Sequence, residues 1–310
     1  MAPLILSDTL ELSAGLTQLG DAAFDREPLG GGPLVRLLLT RPGQARHLSV
    51  IANDGGRLAG WIIGSQSGTT GFIDTFAVGP SHRRRGVATA LLAELESRLR
   101  SVGAHEFAVG GNDRFYAWPG VDSGYAEAHA LLAARGYRVV DRISNMDLAL
   151  DGDFRMPSLP LASPLGPVSA RRATAADAAA LAEFAARDFP DTPWQHEVLV
   201  ALAHDPPGVH LGTLPDGRVV GFACHGTYRP DWFGPLGTMG DVRGSGLGAA
   251  LLTRCLADLA AAGHPEAQIC WIGPADFYTR TVGARIRRQF TVFGRTPHGG
   301  PAGAAERVPS

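Results

Sequence analysis

Apolar residues at Val87, Leu91, Leu92, Leu95 and Leu99 stand three or four positions apart, with Glu94, Glu96 and Arg98 between them. That spacing predicts an amphipathic helix with one buried stripe. Just upstream, Phe72-Ile-Asp-Thr-Phe-Ala-Val78 is a short aromatic and β-branched run halted by Gly79-Pro80, which predicts a strand. The strand reaches the helix through Arg83-Arg-Arg-Gly-Val-Ala88. The same periodicities predict a helix over residues 8–24, carried by Leu10, Leu12, Leu16 and Leu19 with Ser7 and Asp8 as caps, and a helical piece at Leu34 to Leu39. His47 to Ala52 and Arg57 to Gly64 read as strands about the hairpin turn Asn53-Asp-Gly-Gly56. Glu106 to Val109 is a strand and Tyr125 to Arg135 a helix ended by Gly136. Tyr137 to Val140 and Met146 to Leu150 read as two closing strands.

The later chain follows a matching order. Thr174-Ala-Ala-Asp177 resembles a capping box before an alanine-rich helix through Ala186, and Thr192-Pro-Trp194 opens a second helix through His204. Val209 to Leu214 and Arg218 to Thr227 form a hairpin, and Trp232 to Thr238 a short strand. A helix spans Ala249 to about Ala262, and Ala267 to Trp271 and Ile286 to Phe293 are strands. Arg83, Gly86, Ala88, Leu91, Leu92 and Gly103 reappear as Arg243, Gly246, Gly248, Leu251, Leu252 and Gly263, each 160 positions later. A shared offset with agreeing element order predicts two copies of one fold, since the period is too long for a solenoid. Between the copies, residues 156–168 carry four prolines at three- or four-residue spacing and suit an extended linker rather than helix or central strand. The expected organisation is a domain over 1–152, a linker over 153–168, a second domain over 169–296, and a disordered Pro, Gly and Ala tail over 297–310.

A length of 310 residues accommodates two such cores. Charged residues make up 19% and the net charge is −2, so nucleic acid is not an expected partner. The basic side chains are all arginine, which excludes chemistry built on a lysine, including P-loop and Schiff-base sites. Cys224, Cys255 and Cys270 lie in apolar surroundings without metal-ligand spacing and read as reduced thiols. With no basic leader and no apolar run of about 18 residues, the expectation is a soluble cytoplasmic protein, monomeric or homodimeric, without a membrane or metal.

A helix that begins on glycine and small residues leaves backbone N–H groups uncovered at its positive end. Beside Arg83, Arg84 and Arg85 this makes an anion site. The pattern of Arg, two residues, Gly, one residue, then Gly or Ala, set between strand and helix, resembles the GNAT superfamily of acetyl-CoA-dependent N-acetyltransferases. Both Arg83-Arg-Arg-Gly-Val-Ala88 and Arg243-Gly-Ser-Gly-Leu-Gly248 match it, and Val78-Gly-Pro80, Asn112 and Arg135-Gly136-Tyr137 are similar to further family signatures. Thr238, Gly240 and Pro274 depart from the pattern in the second copy. The resemblance implies an α/β (α+β mixed sheet) class: two tandem GNAT-like domains, each a mixed, mostly antiparallel sheet flanked by helices. It implies acetyl-CoA as cofactor. In the first copy the holding residues would be Phe76, Ala77 and Val78 on the strand, then Arg83, Arg84, Arg85, Gly86, Val87, Ala88 and Thr89 at the turn, with Asn112. In the second they would be Leu236, Gly237 and Thr238, followed by Arg243, Gly244, Ser245, Gly246, Leu247, Gly248 and Ala249.

Acetyl transfer needs a deprotonated amine, a polarised thioester carbonyl and a proton for the departing thiolate. By resemblance, Tyr278 is the leaving-group acid. Tyr116 and Tyr125 replace it in the first copy only with a different geometry. Asp74 shares a strand face with Phe72 and Phe76 and is the candidate base through partial burial. Asp231, His225 and Tyr228 are candidates in the second copy. The aromatic loops Phe115-Tyr-Ala-Trp118 and Tyr228-Arg-Pro-Asp-Trp232 either line acceptor pockets or join the copies. The implied function is acetyl transfer to the primary amine of a small molecule, with turnover in the second copy and a cofactor-binding or structural first copy. The alternative is a non-catalytic acyl-CoA-binding or regulatory protein.

Overall fold

The computed structural model describes residues 5–7, 14–40, 48–112, 116–152, 154 and 156–296. The chain divides into two compact units, one formed by residues through Ile143 with a stretch that begins at Phe290, the other by Ser144–Gln289. The expected tail, the cap Asp8, and Leu10 and Leu12 of the expected first helix lie outside the described residues, while Ser7, the other expected cap, is the last residue of a short strand.

The first half of the chain contains β1 (Ile5–Ser7), α1 (Ala14–Ala23), α2 (Gly31–Thr40), β2 (Leu48–Asp54), β3 (Arg57–Ser67) and β4 (Thr70–Val78). It continues with α3 (Val87–Ser101), β5 (Glu106–Val109), β6 (Val121–Asp122), α4 (Ala126–Ala134) and β7 (Arg138–Ala149). The second half contains β8 (Ser169–Arg172), α5 (Ala178–Asp188), α6 (Trp194–Leu202), β9 (Val209–Thr213), β10 (Val219–His225) and β11 (Trp232–Thr238). It ends with α7 (Leu247–Ala261), β12 (Glu266–Ile269), α8 (Ala275–Val282) and β13 (Arg285–Arg295).

In the first unit β1, β2, β3 and β4 pair antiparallel in that order, β5 joins β4 in parallel, and Phe293–Arg295 of β13 closes the sheet against β5. In the second, β8 to β11 are antiparallel, β12 joins β11 in parallel, and Met146–Ala149 of β7 closes against β12. The sheets are therefore mixed and mostly antiparallel. Each closing strand comes from a β-strand whose two halves belong to different units. The expected pair of strands at 137–140 and 146–150 is in fact the single strand β7. Between the two expected strands, Asn145 is fully buried, its Nδ2 donating to Gln268 Oε1 (3.2 Å) and its Oδ1 accepting from the Trp271 N–H (3.0 Å). Satisfied polar atoms let extended backbone continue through this position.

The apolar stripe on α3 behaves as its spacing predicts. Leu91, Leu92, Leu95 and Leu99 are buried against Val50, Ala52, Ile62 and Ile73, each burial stabilising by about 1.5–3 kcal/mol. Gly64 lets helix and sheet meet, because a Cβ there would stand 2.9 Å from Leu95 Cδ2. The equivalent α7 stripe, with Leu247, Leu251, Leu252 and Leu256, is buried against Val220 and Phe233. Glu96 lies on the buried side of α3 rather than in solvent. It accepts from Tyr137 Oη (2.8 Å) and pairs with Arg295 (2.5 Å), and burial with the adjoining carboxylate pushes the Tyr137 phenol far up.

Candidate functional site

The first unit opens where two strands part. β4 and β5 stay paired from Thr70↔Glu106 to Ile73↔Val109, and β5 then ends while β4 runs on to Val78. At the same point the β3–β4 register shifts between Ile63 and Gly64, so Asp74 is the extra residue of a β-bulge. A bulge re-aims a side chain, and Asp74 lines a cleft of about 610 Å³ that also borders Phe24, Phe76, Trp118 and Tyr125. Its Oδ1 accepts from Ser65 Oγ and from Asn112 Nδ2, both at 3.0 Å. Asn112 is buried and therefore positions the carboxylate.

The other end of the cleft is the arginine and glycine turn. Pro80–His82 form a single 3-10 turn, Arg84 takes φ 60°, and Gly86 takes φ 81° at the head of α3. No side chain caps that helix start, and the space where a Cβ of Gly86 would stand is open. Uncovered N–H groups, the positive end of a 15-residue helix and two exposed arginines, Arg83 and Arg84, give this end of the cleft the chemistry of an anion site. Val78, Val87, Ala88 and Thr89 line the same cleft, as does Ala77. Arg85 does not line it; its guanidinium bonds Asp54 at 3.0 Å.

One wall is α4, which offers Ala128, Ala130, Leu131 and Ala134. Small side chains there leave the cleft its width. Tyr125, immediately before α4, lines it from the same side, with its hydroxyl 3.4 Å from the Arg26 N–H. Trp118 donates to Glu27 Oε1 at 2.7 Å and stacks on Phe24, 4.9 Å between ring centroids, so the aromatic wall is fixed. Sequence reasoning passed over Phe24 and Glu27; no pattern links them to Trp118, 91 positions away from Glu27.

The second unit repeats the backbone and changes the filling. Its turn again has a 3-10 segment, an extended Arg243 and left-handed Gly246 (φ 90°) at the head of α7. Ser245 Oγ, however, accepts from the Leu247 N–H (3.3 Å), and Leu247 itself is buried. The bulge recurs between Ala223 and His225, opposite Gly234 and Pro235, so glycine stands where Asp74 stands in the first unit. Leu161 Cδ2 would lie 3.9 Å from a Cβ on Gly246, and the Phe277 ring 3.4 Å from one on Gly248. Gly244 and Ala249 complete the turn; Leu236 packs on the core, Gly237 lies under Phe189 and Trp194, and Thr238 ends β11.

Tyr278 belongs to that core. It is 8% exposed, edge-on to Phe233 and Phe277 (6.1 and 5.1 Å), and burial raises its phenol well above the ordinary tyrosine range. Asp231 is clamped at both oxygens by buried Arg229 (3.1 and 2.9 Å), and His225 bonds Asp258 (3.2 Å). Among the described residues, no helix is long and apolar enough to cross a membrane.

The model of the acetyltransferase (GNAT) family matches residues 23–119 and again 178–281. Among solved structures, the chain is similar to the GCN5-related glucosamine N-acetyltransferase region of a fungal multi-domain GH3 beta-N-acetylglucosaminidase (TM-score 0.76, 20% identity, 95% of this chain). This chain spans 38% of that protein's length. It is also similar to a GCN5-related N-acetyltransferase from Sphaerobacter thermophilus (TM-score 0.71, 18% identity, covering 94% of this chain and 95% of that one). A tandem GNAT protein from the clavulanic acid biosynthesis pathway matches with TM-score 0.67 and 17% identity, over 97% of this chain and 100% of the other. No curated protein matches the chain.

Proposed function

The chain belongs to the GNAT acetyltransferase family, and we propose that its first unit carries both the cofactor site and the chemistry of an N-acetyltransferase acting on the primary amine of a small molecule. The observation that carries this reading is the cleft itself, which joins the turn at Arg83–Ala88 to Asp74 and Tyr125 within one unit. The residues fit acetyl-CoA: the open space at Gly86, the uncapped start of α3 and the arginines suit a diphosphate, and β4 beyond Ile73 offers backbone to an extended amide chain. Bound there, acetyl-CoA would supply an acetyl group activated as a thioester. Asp74 would accept the proton of the incoming ammonium at its carboxylate, which Ser65 and Asn112 hold in place through Oδ1. The Tyr125 hydroxyl, on a residue that lines the same cleft, holds a proton. Trp118 and Phe24 exclude water and present apolar area to the acceptor.

This reading moves turnover away from the second unit. Tyr278 is enclosed by Phe233 and Phe277, and the second bulge carries Gly234 in place of a carboxylate. The decisive experiment is calorimetric titration with acetyl-CoA followed by a panel of small amines assayed for thiol release. One binding site and amine-dependent release that survives Tyr278→Phe support the reading. Loss of release in Tyr278→Phe returns the chemistry to the second unit, and tight binding without release on any amine supports the non-catalytic alternative.

A further inference from the structure

Away from the cleft, three metal-ligating side chains of the second unit converge. His210 on β9, His225 at the end of β10 and Asp258 on α7 bring one ligand atom each to within 4.8 Å of one another. The register explains the convergence. Arg172 pairs with His210 and His210 with Ala223, so these residues project from one face of the sheet, and His225 lies two residues beyond Ala223 on the same strand. That face is the one α7 covers. His210 Nε2 lies 2.6 Å and His225 Nε2 3.2 Å from the same oxygen, Asp258 Oδ2. The other oxygen is taken by Arg172, whose Nη2 lies 2.5 Å from Oδ1 while its Nη1 donates to the Pro207 carbonyl at 2.7 Å.

We propose that His210 Nε2, His225 Nε2 and Asp258 Oδ2 form a binding site for a divalent transition-metal ion of the zinc type, pinning β9 and β10 to α7. Two imidazoles and one carboxylate are a donor set for zinc, cobalt, nickel or copper rather than for calcium or magnesium, which take mostly oxygen. Asp258 lies in the last turn of α7, at the negative end of a 15-residue helix, where a cation is favoured and an unaccompanied carboxylate is not. Arg172 acts as a positioning residue: by occupying Oδ1 it aims Oδ2 at the imidazoles, as outer partners of metal ligands do. His210 is 6% exposed, and its Nδ1 is buried without a hydrogen-bond partner, so its polar tie is the Nε2 contact in this cluster. The ligand atoms of a tetrahedral zinc site stand about 3.3 Å apart at bond lengths near 2.0–2.2 Å. Reaching that spacing requires the 2.6 Å pair to open by about 0.7 Å and the most widely spaced pair, which lies within 4.8 Å, to close by at most about 1.5 Å. Three protein donors leave a fourth position for water.

The test uses the full chain after chelator treatment and Zn²⁺ alone as the probe. Calorimetry should give a site whose affinity falls at least tenfold in His210→Gln and in His225→Gln, and roughly 10–100-fold in Arg172→Gln. Circular dichroism of the metal-free variants establishes that they fold. A measurement needing no variant is the visible spectrum with Co²⁺, which should show the intense bands of four-coordinate cobalt and lose them on addition of Zn²⁺. Absence of binding, a Co²⁺ spectrum of the hydrated ion only, or affinity unchanged in both histidine variants would overturn the proposal, the last by assigning the metal to other histidines.

Discussion

The walls formed by α4 and α8 differ more than the turns they face. Counting back six residues from the left-handed glycine that follows each helix, Gly136 and Gly283, gives Ala130 in the first unit and Phe277 in the second. Ala130 lines the open cleft, whereas Phe277 lies against Gly248. The residue after each, Leu131 and Tyr278, follows the same division: one borders the cleft, the other joins the core. Two nearly identical helix starts therefore face different surroundings. A phosphate cradle is a backbone property, but room for the rest of a ligand is set by side chains on another element.

Putting the second unit's wall into the first should break the comparison most sharply. Ala130 is exposed, so Ala130→Phe would fill the cleft without disturbing the core. Acetyl-CoA binding, followed by calorimetry, should be abolished while the thermal midpoint stays close to that of the parent. Asp74→Asn tests the other difference, carboxylate against glycine at the bulge. It should lower kcat by about 10²–10⁴ with little change in acetyl-CoA affinity, the range for loss of a general base. A loss in affinity with kcat intact would make Asp74 a binding residue. The scaffolds themselves should respond alike. Leu91 and Leu251 are both fully buried at equivalent positions of α3 and α7, so each Leu→Ala change should cost about 2–5 kcal/mol in denaturant unfolding. A large inequality would show that one core relaxes and the other does not.

The smallest effect concerns pH and one unit alone. Asp177 closes the capping box of the second unit and accepts a bidentate pair of hydrogen bonds from the Arg171 guanidinium (2.7 and 2.8 Å), and this partner holds its carboxyl well below the usual range. Its folded pKa lies below the unfolded one, so at mildly acidic pH the unfolded chain binds the proton first. The pair's contribution is present above about pH 4 and is lost as pH falls toward the depressed value. Arg171 is half exposed, which limits the contribution to about 1 kcal/mol or less. Asp177→Asn should therefore lower stability slightly at neutral pH, and the difference from the parent should shrink on acidification.

Much of this organisation was legible beforehand. The leucine spacing on α3 and α7 located both helices, and left-handed Gly86 and Gly246 head them as the repeated motif implies. The burial of Glu96 is not legible in the spacing of α3, because its partners Tyr137 and Arg295 stand 41 and 199 positions away. The joining of 137–140 with 146–150 into β7 escaped for the same reason, since Asn145 is satisfied by Gln268 and Trp271.

By itself the sequence determined what local sterics and periodicity control: the helix stripes, the strand before each turn, the glycines that permit a left-handed start, and the duplication at an offset of 160. Only the tertiary structure set Ala130 on the cleft at one helix start and Phe277 against Gly248 at the other, and placed Asp74 at a bulge on that cleft. It also brought two histidines and an aspartate from β9, β10 and α7 to one point. Those outcomes depend on contacts between residues distant in the chain, and neither residue spacing nor local propensity carries that information.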